Sequence, residues 1–147
     1  MSEYLNEVII EEKKVFLADV KELDNLFEYS SALLKILNFD NRDIIMINTA
    51  LEEIFVNVAK YAYENSSIKG TVEVSLSNDK KKVTFIFKDT GKKFNPLDRE
   101  DPNINAKSED REIGGLGIYM VKKIMDHVSY EYKDGFNILT LEKNRKQ

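Results

Sequence analysis

Thr71-Val-Glu-Val-Ser-Leu76, Ser77-Asn-Asp-Lys-Lys-Lys82 and Val83-Thr-Phe-Ile-Phe87 form the continuous stretch from which the fold is read. Apolar and polar residues alternate in its first and last parts, the period of strands that lay one face on a core. The middle part is charged and rich in turn formers, so the whole predicts an antiparallel hairpin. Lys80, Lys81 and Lys82 then belong to a solvated loop. A formal net charge of -4 likewise argues against a nucleic-acid surface, which is normally basic.

Working outward, Val8-Ile-Ile10 and Val15-Phe-Leu17 read as two short strands separated by a charged turn. A helical pattern runs from about Val20 to Leu37, with Leu23, Leu26, Leu33, Leu34 and Leu37 recurring at helical spacing. Asp40 is expected to cap a second, longer helix reaching about Glu64, with Asp43 completing an imperfect capping box. Beyond the hairpin, residues 90–113 have little periodicity and contain both prolines, as expected of a functional loop or lid. A helix from about Leu116 to Asp126 follows. Val128–Tyr132 and Phe136–Leu141 close the chain as a second hairpin around Asp134-Gly135. The expected architecture is a single α+β domain over residues 1–147. It is a two-layer sandwich with helices on one face of a mainly antiparallel mixed sheet.

The 147 residues are enough for one good core, and 42% hydrophobic with 33% charged residues describe a soluble globular protein. No apolar run approaches the ~20 residues of a membrane span, and the N-terminus lacks a signal-peptide pattern. The absence of cysteine excludes disulfides and thiolate metal sites and fits a cytoplasmic location. A single histidine, His127, excludes a multi-histidine metal centre.

Three polar or glycine-rich segments carry chemistry. In the long helix Glu53, Asn57, Lys60 and Glu64 form a narrow polar stripe opposite an apolar face. A solvent-facing stripe is the plain explanation, but Asn57 is a mediocre helix former in mid-helix. A carboxylate and a carboxamide at this spacing suit a hydrated Mg²⁺ or a nucleophile to be positioned. Asp89-Thr-Gly91 follows a strand, where it is either a turn or a carboxylate that accepts from an adenine amino group. Gly114-Gly115-Leu116-Gly117 opens an amphipathic helix, as a flexible hinge or as a phosphate cradle. It is not a P-loop, because no Gly-Lys-Ser/Thr follows.

In this order, Glu53-x-x-x-Asn57, Asp89-x-Gly91-x-x-Phe94-Asn-Pro96 and Gly114-Gly-Leu-Gly117 resemble the motifs of the GHKL, or Bergerat-fold, ATPases. The chain is most similar to the anti-sigma-factor serine-protein kinases of bacterial partner-switching systems. The stretches Gly117–Asp126 and Asn137-Ile-Leu-Thr140 carry that narrower likeness. The resemblance implies ATP and Mg²⁺ as cofactors, a phosphorylatable antagonist protein and a sigma factor as partners, and a homodimer. It implies Glu53 as general base, Asn57 as Mg²⁺ ligand and Asp89 as adenine acceptor. Gly91 and Phe94 would line the base pocket, Gly114 to Gly117 with Leu116 would meet the phosphates, and Thr140 would help hold the adenine. Residues 97–113, including Arg111, would close over the nucleotide. Two positions depart from the broader superfamily: Lys93 stands at a usual glycine, which the anti-sigma branch tolerates, and Tyr61 at a usual small or histidine residue. A non-catalytic ATP switch, a sensor-histidine-kinase ATPase domain and a plain α+β binding domain stay open as alternatives.

Overall fold

A computed structural model describes residues 8–67, 69–98 and 115–146. The alternation in Thr71–Phe87 builds the middle of its sheet: β2 (Thr71–Asn78) buries Val72, Val74 and Leu76, and β3 (Lys82–Asp89) buries Val83, Phe85 and Phe87. Before them come β1 (Glu11–Leu17), α1 (Leu23–Ile36) and α2 (Asn41–Asn57). After them come α3 (Gly115–Ile124), β4 (His127–Lys133) and β5 (Phe136–Asn144).

The strands lie in the order β1-β2-β3-β5-β4, and every neighbouring pair is antiparallel. The expected mainly antiparallel sheet is thus observed, and none of the described strands pairs in parallel. β5 closes a tight hairpin with β4 through Asp134 and Gly135, both at positive φ, and then docks against β3.

The N-terminal segment also differs from expectation. Glu11–Leu17 is one strand paired residue for residue with Ser77–Thr71, and Val8–Ile10 precedes it outside the ladder. An edge strand pairs through its backbone and needs no apolar run, so the charged Glu11–Lys14 stretch misled a reading based on hydrophobicity. The preceding residues are tied by one side chain: Asn78 Oδ1 accepts from Ile10 N–H at 2.6 Å, and its Nδ2 donates to the Val8 carbonyl at 2.9 Å.

All three helices cover one face of the sheet. Leu26 and Leu34 of α1, Ile47, Leu51, Ile54 and Phe55 of α2, and Ile118 and Val121 of α3 pack with the inward row of the strands. The Phe55 and Phe16 rings meet edge to face at 6.1 Å between centroids, joining α2 to β1. Asp40 caps α2 as expected, accepting from Asp43 N–H at 2.8 Å. Among the described residues no helix is long and apolar enough to cross a membrane.

Because Phe85 is fully buried between strand and helices, Phe85→Ala is expected to cost about 3–5 kcal/mol in chemical denaturation. Ile86→Ala, one residue along on the half-buried opposite face, is expected to cost less than about 1.5 kcal/mol.

Candidate functional site

The inward row of β3 does not end in an apolar residue. Val83, Phe85 and Phe87 are followed by Asp89, buried at 7% exposure. In the β3–β5 register Asp89 stands directly opposite Asn137, which opens the inward row of β5 ahead of Leu139 and Leu141. These are two of the three buried polar residues among those described. Such groups must find partners, and they find each other: Asn137 Nδ2 donates to Asp89 Oδ1 at 3.0 Å. Gly91 N–H donates to the same oxygen at 2.9 Å, while Asp89 Oδ2 receives no donor among the described residues. Burial raises the Asp89 pKa above the usual carboxylate value, and the Asn137 and Gly91 donors partly counter it.

Asn137 also organises the segment after Gly91. Its Oδ1 accepts from Phe94 N–H at 3.1 Å and from the Tyr130 hydroxyl at 2.5 Å, and its Nδ2 donates to the Lys92 carbonyl at 2.9 Å. The sequence reading gave Asn137 no role. The available signal was strand alternation, which puts this poor strand former in the row of Leu139 and Leu141.

A second tie comes from the end of α2. The long helix was expected to continue to about Glu64, but α-helical geometry stops at Asn57 and Val58–Ala62 form a π-helical turn. Carbonyls in a last turn lack intrahelical partners. The Ala62 carbonyl turns outward and accepts from Lys92 N–H at 2.7 Å. Gly91 is required for this approach, since a Cβ there would lie 2.3 Å from the Ala62 oxygen. Tyr63 adds a bridge, accepting from Thr90 N–H at 3.1 Å and donating to the Thr71 carbonyl at 2.6 Å.

Between these elements lies a small cavity that opens to solvent. Asn57, Asp89 and Phe94 line it, joined by Asn137, Tyr130 and Tyr61. Glu53 sits one turn before Asn57, half-buried, and packs against the start of α3: a Cβ on Gly117 would meet Glu53 Oε2 at 2.3 Å. Gly115 and Leu116 form the first turn of that helix. Gly114, Arg111 and residues 99–113 of the expected lid lie outside the described residues.

Thr140 does not line the cavity. Leu139 and Leu141 point into the core, so Thr140 between them faces the opposite side of the sheet, level with Ile86 and Ser129. The inward polar position of β5 belongs to Asn137.

Residues 16–143 match the histidine kinase-like ATPase domain family. The chain belongs to that family. Membership implies the use of ATP, and the chemistry of these residues is compatible with it: Asp89 Oδ2 receives no donor among the described residues, and a glycine-opened helix lies beside Glu53 of the same helix as Asn57. The chain is similar to the serine-protein kinase RsbW of Staphylococcus aureus, 29% identical over 105 residues covering 65% of this chain and 63% of that protein. It is also similar to the serine/threonine-protein kinase BtrW of Bordetella bronchiseptica, 24% identical over 90 residues covering 61% and 63%. The chain thus spans a little under two thirds of the length of these relatives. A crystal structure of the RsbU and RsbW domains of a Mycobacterium tuberculosis protein shares the fold. Its TM-score is 0.65 at 16% identity, over 93% of this chain and 33% of that one.

Two outcomes are expected of the residues that shape this site. Gly91→Ala should break the Lys92–Ala62 hydrogen bond, lowering stability by about 1–3 kcal/mol and speeding hydrogen exchange at the Lys92 amide. For Asp89 the folded-state pKa is raised, so the stability it contributes is present below the unfolded carboxylate pKa and lost as pH rises through the folded one. Denaturation of the wild type against Asp89→Asn should therefore show the wild-type advantage shrinking upward from about pH 4, then levelling. A widening gap would mean that the site favours the charged form.

Proposed function

We propose that this domain transfers the γ-phosphoryl group of ATP to a serine of a partner protein, as an anti-sigma regulatory kinase of a partner-switching pathway. The observation that carries the reading is how one helix links two polar features. Glu53 of α2 lies against Gly117 at the opening of α3, and one turn further on Asn57 lines the cavity that Asp89 also lines, a buried carboxylate with one oxygen that receives no donor among the described residues. The names of the relatives, serine-protein kinases in both cases, support the same chemistry.

The division of labour follows from each group. Asp89 Oδ2 would accept from the adenine amino group, and Gly91 and Phe94 would flank the base. The amides at the N-terminus of α3 would face the phosphates, where the helix dipole favours negative charge. Asn57 would hold Mg²⁺, which supplies charge neutralisation at the phosphates. Among the described residues no three acidic, histidine or cysteine side chains converge as a metal cage. An ion held through one protein oxygen, substrate phosphates and water is the arrangement Mg²⁺ commonly takes. Glu53 would accept the proton of the attacking serine hydroxyl.

The same reading has the domain hold a sigma factor and work in the cytoplasm. It also has the domain pair with a second copy through β1, an edge strand whose Val15 and Leu17 are 58% and 55% exposed. Glu53→Gln should leave ATP binding within about twofold but lower labelled-phosphate transfer to a serine-bearing antagonist by about 10²–10⁴-fold. Transfer at the wild-type rate would remove Glu53 from the role of base. Wild-type protein that binds ATP without transferring phosphate to any such antagonist would instead be a non-catalytic switch.

A further inference from the structure

Asn137 has two amide hydrogens and two acceptor lone pairs, and the protein fills all four. Two of the partners are backbone groups of fixed polarity. Phe94 N–H can only donate, so the atom it meets is Oδ1; the Lys92 carbonyl can only accept, so the atom it meets is Nδ2. The other amide hydrogen consequently goes to Asp89 Oδ1, where Gly91 N–H also arrives. With Tyr130 on its remaining lone pair, Asn137 has nothing left to offer a ligand. Its effect is on Asp89. One carboxylate oxygen is committed to two N–H donors, and the other is left to the cavity that Asp89 lines.

We propose that Asn137 sets the nucleobase specificity of this site. By holding Asp89 Oδ1 it presents Oδ2 as a fixed, lone acceptor, which pairs with a six-amino purine and repels a six-oxo purine. The proposal rests on the nucleotide reading of the cavity. Asn137 is a positioning residue here, since it touches Asp89 and not the base. Without it, Asp89 keeps only the Gly91 donor and is free to turn about its own side-chain bond. A carboxylate that can turn presents either oxygen and takes up water, and discrimination between the two bases falls with its orientation.

Displacement of a fluorescent nucleotide by Mg²⁺-ATP and by Mg²⁺-ITP, which differ at the six position, reads this directly. Wild-type protein should favour ATP by about tenfold or more, the range of one hydrogen bond to a charged group. Asn137→Ala should bring the two affinities to within about threefold of each other. A second variant works even if that one folds poorly. In Asp89→Asn the two N–H donors would hold the amide oxygen in place of Oδ1, turning the amide NH₂ to the cavity and reversing the preference toward ITP. Equal losses of ATP and ITP affinity in Asn137→Ala would make Asn137 a loop support only and overturn the proposal. So would Asp89→Asn still preferring ATP, or wild-type protein binding both nucleotides equally well; in each case nucleotide binding itself stands. Wild-type protein that binds neither nucleotide would bring down the nucleotide reading, and this proposal with it.

Discussion

A carboxylate held out of water at the end of an apolar strand row is the constraint on which the rest of the site depends. Burying an ionisable group without partners is costly, and among the described residues Asp89 has two donors, one from the strand opposite and one from its own turn. Asn137 must therefore stand where it does, and the β3–β5 register that brings it there cannot slip. A shift of one residue would turn Asn137 to the far face and put Ile138 or Phe136 against the carboxylate. The same asparagine then secures Lys92 and Phe94, so the turn after β3 takes its shape from the sheet rather than from its own residues.

The helix layer adds an independent constraint from the other side. Where α2 widens into the π-helical turn, the Ala62 carbonyl is released to Lys92, and the absent side chain at Gly91 lets the two backbones close. Short π-helical insertions are frequent at functional sites because they re-aim backbone groups while the helix continues to pack. In this protein the insertion follows Asn57 directly, so the polar stripe of α2 and the Asp89 turn are held in one frame. Glu53 meets α3 in the same way, through a glycine that leaves room for its carboxylate. The end of α2, the turn after β3 and the start of β5 thus meet at one cavity through the close approach at Gly91 and the side-chain amide of Asn137.

Much of this was legible beforehand, for identifiable reasons. The Thr71–Phe87 alternation marks its strands because an inward and an outward row differ in polarity, and the same alternation carries Asp89 into the inward row. Glu53 and Asn57 share a helical stripe by spacing alone. Errors arose where backbone pairing or tertiary contact overrides local pattern. β1 is a continuous strand across charged residues because it pairs with β2 along its whole length. α2 changes its helical geometry where the loop after β3 needs a carbonyl. Thr140 was expected beside the adenine, although its neighbours Leu139 and Leu141 already fix its face; counting along β5 from them puts Asn137, not Thr140, in the inward row.

The sequence by itself determined the α+β class, the hairpins, the helices and the order of the three polar segments. Each of these follows from periodicity and turn chemistry within a dozen or so residues. Only the tertiary structure decided which oxygen of Asp89 is free, which residue of β5 meets it and what Gly91 and Gly117 make room for. These depend on pairings between residues 89 and 137, 62 and 92, and 53 and 117. The physical reason is that a hydrogen bond between distant residues leaves no periodic trace. It is set by strand register and helix packing, which form only when the whole core closes.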